Sequence, residues 1–262
     1  MHFRHKTVWI TGASSGIGKA LAEQLAGKGA RLILSARNEA ALNELNTELG
    51  GKHCVVPLDL ARPEHLLEHL PNTLDRIGKV DILINNAGLS QRSLFLENEF
   101  SVYRQLMEVN YFGLIALTKV VLPQMVNRGS GMVVSISSVA GKVGSKFRTG
   151  YSGSKYAVVG FMDCLRAEVA AHNIHCLTIC PGSIKTAIAH NSLDPKGHAQ
   201  NKPEQSIENG MDVNKAAAKM LKAIAAKKDE VVIGEGISGL APTIKRFFPR
   251  LFNRLTARMN YR

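Results

Sequence analysis

Residues 8–26, VWITGASSGIGKALAEQLA, are the passage on which the fold turns. Strand-forming residues lead into a turn of glycine and serine, and apolar residues then recur at a helical period. A strand that breaks into such a turn and re-enters as a helix begins a βαβ unit, with the free N–H groups of the helix N-terminus aimed over the turn. Gly12, Gly16 and Gly18 let the backbone bend sharply and approach a pyrophosphate, and Ser14, Ser15 and Ile17 belong to the same cradle. The middle of the motif is longer than in the common GxGxxG fingerprint. Taken alone, the turn also fits a tight strand-to-helix connection that binds nothing.

Outward from this unit the alternation continues. Short apolar runs at 31–36, 53–58, 80–87, 131–138, 174–180 and 230–234 are separated by segments of helical period. The runs are too uniformly apolar to have a wet face, which predicts a parallel sheet covered on both sides. The expected architecture is a single-domain, doubly wound α/β Rossmann fold with about seven strands flanked by helices. Residues 1–241 are assigned to this domain and 242–262 to a basic tail. A polar stretch, 187–210, breaks the rhythm at the C-terminal edge of the sheet, where a substrate lid is expected.

Composition narrows the class. With 45% hydrophobic and 21% charged residues among 262, the chain reads as an ordinary globular domain. No apolar run approaches the roughly 20 residues of a membrane span, and no signal-peptide core opens the sequence, so a cytoplasmic location is expected. Cys54, Cys164, Cys176 and Cys180 lack paired spacing, which argues against disulfides or structural zinc. HLLEH, 65–69, puts two imidazoles on one helix face in a zinc-peptidase pattern but has no third ligand, so no metal is expected. The net charge of +12 suits a polyanionic cofactor as well as nucleic acid. Without a nucleic-acid-binding module, no nucleic-acid partner is expected.

The second run, RLILSARN, bears on the nucleotide. Folds that take NAD usually end this strand with an acid for the ribose hydroxyls; here Ala36 stands there and Arg37 follows. No carboxylate repels a 2′-phosphate, and Arg37 can clamp one, with Ser14 or Ser35 adding hydrogen bonds. NADP(H) is therefore the expected cofactor. A further stretch, TGYSGSKYAVVGF at 149–161, places Tyr151 and Lys155 on one helix face, where an ammonium lowers the pKa of a phenol that starts at about 10.

Six motifs stand in order: TGASSGIG at 11–18, NNAG at 85–88, Asn110 in EVNYFG, Ser138 in SISSVAG, Tyr151 and Lys155 in YSGSK, and PGSIKT at 181–186. In order and spacing, including the thirteen residues from Ser138 to Tyr151, they resemble the short-chain dehydrogenase/reductase family over nearly the whole chain. SSVAGK and the C-terminal half resemble its hydroxysteroid-dehydrogenase-like branch. The resemblance implies that Tyr151 is the general acid or base, that Lys155 lowers its pKa and holds the nicotinamide ribose, and that Ser138 bonds the substrate oxygen. Asn110 would anchor a water in a proton relay. Asp59, with Leu60 beside it, would meet the adenine, and Asn86, Ala87 and Gly88 would form the adjoining wall. Pro181, Gly182 and Ile184 would lead to Thr186 at the nicotinamide carboxamide. A homodimer or homotetramer through helices at 110–124 and 151–172 is also implied. Two departures stand out: Gly153 replaces a frequent alanine, and the N-terminal anchor usual in the hydroxysteroid branch is not expected here.

The expected activity is interconversion of a carbonyl and an alcohol by hydride transfer, with Ser138 and Tyr151 as donors to an oxygen that gains charge. A catalytically idle NADP(H)-binding scaffold or redox sensor is the other reading, and the complete Asn110, Ser138, Tyr151 and Lys155 set speaks against it. For a small-molecule substrate, Gln91, Val139, Val143, Phe147 and Ile184 are the lining candidates. In the tail, Arg246, Arg250, Arg254, Arg258 and Arg262 recur every fourth position, and Leu251, Phe252, Leu255 and Met259 fall on another face of a helix that starts at Pro249. That predicts either peripheral membrane contact through 249–262 or packing beside the substrate cleft.

Overall fold

The apolar runs become seven parallel strands: β1 (Thr7–Thr11), β2 (Arg31–Ser35), β3 (Cys54–Val55), β4 (Ile82–Asn85), β5 (Gly131–Ile136), β6 (Ile174–Pro181) and β7 (Glu230–Ile233). Their order is β3-β2-β1-β4-β5-β6-β7, so the chain builds from β1 to one edge, returns to β4 and builds to the other. This computed structural model describes residues 2–258. The helices are α1 (Gly16–Gly27), α2 (Glu39–Glu48), α3 (Pro63–Ile77), α4 (Phe100–Met107), α5 (Gly113–Arg128), α6 (Thr149–Val169), α7 (Gln205–Glu208), α8 (Val213–Ala225), α9 (Gly236–Phe247) and α10 (Pro249–Arg258). Together they form one doubly wound Rossmann-like domain.

Side chains of a strand alternate between faces, and here both faces are buried. Val8 and Ile10 of β1 join Leu32, Leu34, Ile82 and Ile84 in a core closed by α1, α2 and α8. Trp9, between them, joins Ile33, Leu83 and Val133 in a second core closed by α3, α5 and α6. Of the run at 53–58, only Cys54 and Val55 enter the sheet ladder. Pro57 has no N–H to give, so the strand continues only as single bonds from Val56 N to Leu34 O and from Leu58 N to Ala36 O.

Two elements depart from expectation. Helices α4 and α5 join through a π-helical segment, Glu108–Phe112, and the joined run Phe100–Arg128 is long and apolar enough to cross a bilayer, although no such run was expected. Its Val102, Leu106, Leu114, Leu117, Val121 and Met125 are buried within the fold. At the C-terminus, residue 242 lies inside α9, and the next helix begins at Pro249. Met259 and Arg262 lie outside the described residues.

Candidate active site

Because the chain leaves β1 for β2 on one side and returns to β4 on the other, the loops that follow these strands part and leave a crevice at their carboxyl ends. A cavity of about 1420 Å³ occupies it. Thr11 ends β1, and its Oγ1 accepts from both Asn86 N and Ala87 N at 3.0 Å, while Asn86 Nδ2 donates to Thr11 O at 2.9 Å. The two loops are thus stitched together so closely that a Cβ on Gly12, whose φ is +66°, would lie 2.9 Å from Ala87 Cα. Gly12, Ser14, Ser15, Gly16 and Ile17 line the cavity together with Asn86, Ala87 and Gly88.

Gly18 does not line it: a Cβ there would sit 2.1 Å from Gly12 O, so its part is to let α1 pass beneath the turn. Arg37 is exposed on the rim, just before Asn38 caps α2 by accepting from Ala41 N at 3.0 Å. Ser35 cannot assist Arg37 as expected. Its hydroxyl is fully buried on the other face of the sheet, accepting from Trp9 Nε1 at 2.9 Å. Asp59 and Leu60 line the same end, with Asp59 Oδ1 held by Ala61 N at 3.0 Å.

At the other end, Ser138 follows β5. Its Oγ accepts from Ala140 N at 3.0 Å and donates to Pro181 O at 3.4 Å. Tyr151, buried on α6, lines the same end of the cavity as Ser138. Lys155 lies one turn on, its Nζ donating to Ile136 O at 3.0 Å and standing 6.0 Å from the centroid of the Tyr151 ring. Pro181, Gly182, Ile184 and Thr186 close this side of the cavity.

The electrostatics correct one expectation. Burial pushes the Tyr151 phenol up, against the opposing pull of the Ser138 hydroxyl and the Arg148 charge, so it lies above the ordinary phenol value and not below it as adjacency to Lys155 predicted. Burial lowers Lys155 itself from 10.5 to about 8. A phenol kept protonated is a proton donor.

Asn110 does not reach the cavity. It is buried in the π-helical segment, where Oδ1 accepts from Leu89 N at 2.7 Å and Nδ2 donates to Leu89 O and to Ser154 Oγ, both at 2.9 Å. A Cβ on Gly88 would lie 3.0 Å from Asn110 Oδ1 and 3.1 Å from Lys155 Nζ, so the missing side chain lets three elements meet. Of the substrate candidates, Val139, Val143 and Ile184 line the cavity, whereas Gln91 and Phe147 do not. Gln91 is buried behind α6, its Oε1 accepting from Gly150 N at 3.2 Å.

Sequence reasoning missed a charged cluster beside Tyr151. Arg148, its guanidinium 5.6 Å from the Tyr151 ring centroid, donates to Ser90 Oγ at 2.8 Å and to both oxygens of Glu204 at 2.7 and 2.6 Å. Arg92 meets Glu204 at 2.8 Å. Burial alone would raise Glu204, but the two arginines and Ser206 hold it below the usual carboxylate range. This pairing ties Glu204 of the 187–210 stretch, several of whose residues line the cavity, to the start of α6. The spacing of Arg148 and Tyr151, three apart across the start of a helix, was a readable signal; the distant Glu204 gave none. His65 and His69 sit exposed on α3, and among the described residues no three His, Cys, Asp or Glu side chains gather as metal ligands.

A glycine-rich turn at the switch point of a parallel sheet, with a serine, tyrosine and lysine gathered at the far end of its cavity, defines a dinucleotide-dependent oxidoreductase architecture. The profile of the short chain dehydrogenase family matches residues 6–197, and the chain belongs to the short-chain dehydrogenase/reductase family. It is similar to the bovine dehydrogenase/reductase SDR family member 7B, at 39% identity over 98% of this chain and 82% of that one. Among solved structures, a short-chain dehydrogenase from Streptomyces avermitilis matches at 31% identity and a TM-score of 0.80, over 96% of this chain and 98% of that one. A short chain dehydrogenase from Burkholderia cenocepacia, solved in complex with NADP, matches at 26% identity and a TM-score of 0.80, over 97% and 99% of the two chains.

Proposed function

We propose that this oxidoreductase uses NADP(H) to reduce a small-molecule carbonyl to an alcohol, with Tyr151 delivering the proton. The observation that carries the reading is the buried Tyr151, gathered with Ser138 and with Lys155 one helical turn away on the wall of a cavity whose other end is the glycine cradle. The cradle fits a dinucleotide: its backbone leaves no room for a Cβ at Gly12, and the rim carries Arg37 with no neighbouring acid at Ala36. Arg37 would hold the 2′-phosphate, Asp59 and Leu60 the adenine end, Lys155 the nicotinamide ribose, and Thr186 the carboxamide. The relative solved with NADP supports a dinucleotide of this kind.

When bound, the nicotinamide supplies the hydride; the chain's own residues manage the oxygen. Ser138 and Tyr151 donate to a carbonyl oxygen as negative charge grows on it, which stabilises the transition state more than the ground state. A phenol held protonated by burial suits reduction. Val139, Val143, Leu193 and Phe252 supply an apolar lining beyond them. Asn110 acts at one remove, by fixing Leu89 against Gly88. We assign the assembly as a homodimer or homotetramer through the outer faces of α5 and α6.

Replacement of Tyr151 by phenylalanine tests the reading. Only the transferable proton is lost, so kcat should fall by about 10²- to 10⁴-fold while the NADPH dissociation constant stays near the wild-type value. Turnover at the wild-type rate would overturn the assignment of Tyr151.

A further inference from the structure

The last two helices cover one wall of the cavity with one side and present an apolar, basic surface with the other. Inward, Phe252 of α10 is buried against Val139, Val143 and Ala241, and Phe252 and Thr256 line the cavity. Packing beside the cleft thus accounts for one face of the tail. Outward, Ile237, Leu240, Phe247, Phe248, Leu251 and Leu255 are 48–70% exposed. Arg246, Arg250, Arg254 and Arg258 are exposed among them, and no ion pair among the described residues reaches their guanidinium groups. Residues 242–262 hold six basic residues and no acid.

We infer that α9 and α10 dock together on an anionic lipid bilayer, their exposed apolar side chains entering the interface and their arginines meeting lipid phosphates. Large apolar side chains clustered on a surface mark an interaction site, and their mixture with unpaired cations selects the occupant. A second copy of the chain on the same face would set arginine against arginine. Nucleic acid would satisfy the arginines and leave the leucines in water. A bilayer with acidic headgroups complements both. Ile237 lines the cavity and is also 70% exposed, so the cavity reaches the surface on the docking side. An apolar carbonyl compound dissolved in the bilayer would meet the cavity there; this consequence rests on the reductase reading, whereas the docking does not.

The test is sedimentation of the full chain with vesicles of phosphatidylcholine alone and of phosphatidylcholine mixed with phosphatidylglycerol. The wild type should pellet with the mixed vesicles and stay in solution with the neutral ones. Arg250→Glu/Arg254→Glu and Leu251→Ser/Leu255→Ser change exposed residues and should each weaken binding by about tenfold or more. Retained NADPH binding would show the variants folded. Absence of pelleting by the wild type, equal pelleting of the variants, or a shift of the surface variants from oligomer to monomer in light scattering without vesicles would overturn the docking. Reduction of a water-soluble carbonyl compound without vesicles separates the two readings: a chain that docks but reduces nothing overturns the reductase assignment alone, and a chain that reduces but does not dock overturns the docking alone.

Discussion

At Lys155 the cost of burying a charge becomes measurable. Its ammonium is out of water, with only the Ile136 carbonyl as a hydrogen-bond partner among the described residues, and burial depresses it from 10.5 to about 8. Between those values the unfolded chain holds the proton and the folded chain has released it, so this residue makes stability rise with pH across the window; below about 8 both states are charged and the full penalty stands. Lys155→Met lacks the contribution. Urea unfolding of both proteins just below 8 and again near 10.5 should show the wild type gaining on the variant, and a constant difference would mean that Lys155 stays charged in the fold. Arg37 faces the opposite situation, exposed on the rim with its charge in water. Arg37→Asp replaces a clamp by a repelling carboxylate and should weaken NADPH by about 10- to 100-fold while improving NADH. Dissociation constants for both cofactors check it, and an unchanged NADPH value would mean that the 2′-phosphate is held elsewhere. The residue-level chemistry was largely legible because backbone approach demands glycine and a helix puts Tyr151 beside Lys155. What sequence could not weigh was burial, which turns the phenol upward where adjacency to an ammonium alone predicts a fall.

Among the elements, α6 carries an internal weakness. Gly153 lies in its exposed face between Tyr151 and Lys155, and a Cβ there would meet no atom within 4 Å. Gly153→Ala should therefore raise stability by about 0.5–1 kcal/mol through the unfolded chain's lost freedom, read as a higher urea midpoint with kcat unchanged. A lower midpoint would indicate that another chain packs where the Cβ must go. Strand positions were readable from apolar runs with no wet face, and Pro249 marked the start of α10 because a proline is best tolerated in the first turn. The long run from α4 through α5 escaped because its charged residues interrupt the apolar pattern while its backbone continues through a π-helical segment. The 187–210 stretch read as a loop from its polarity, but its anchorage could not be read. Glu204 is 56 residues from Arg148, and no local pattern connects them.

For the whole molecule, the surface that sequence could least describe is the outer face of the α5–α6 pair, through which the proposed oligomer would form. On the outer side of the α5–α6 pair, Phe112 is 43% exposed, Tyr156 stands at the surface, and Gly160 leaves open space above the helix backbone. An exposed phenylalanine beside a flat glycine surface loses contact with water most effectively when a second helix pair lies on it, and a twofold axis would repeat the contact at no further cost in sequence. Light scattering at micromolar concentration should accordingly give two or four times the 28.5 kDa of the protomer. Phe112→Glu buries two like charges at such an axis and should shift the mass toward the protomer, with NADPH binding retained because Phe112 lies outside the cavity. If the mass is multiple but indifferent to Phe112→Glu, the copies meet through another surface. A protomer mass for the wild type would remove the assembly altogether, leaving the exposed α5–α6 face without the partner that its composition calls for.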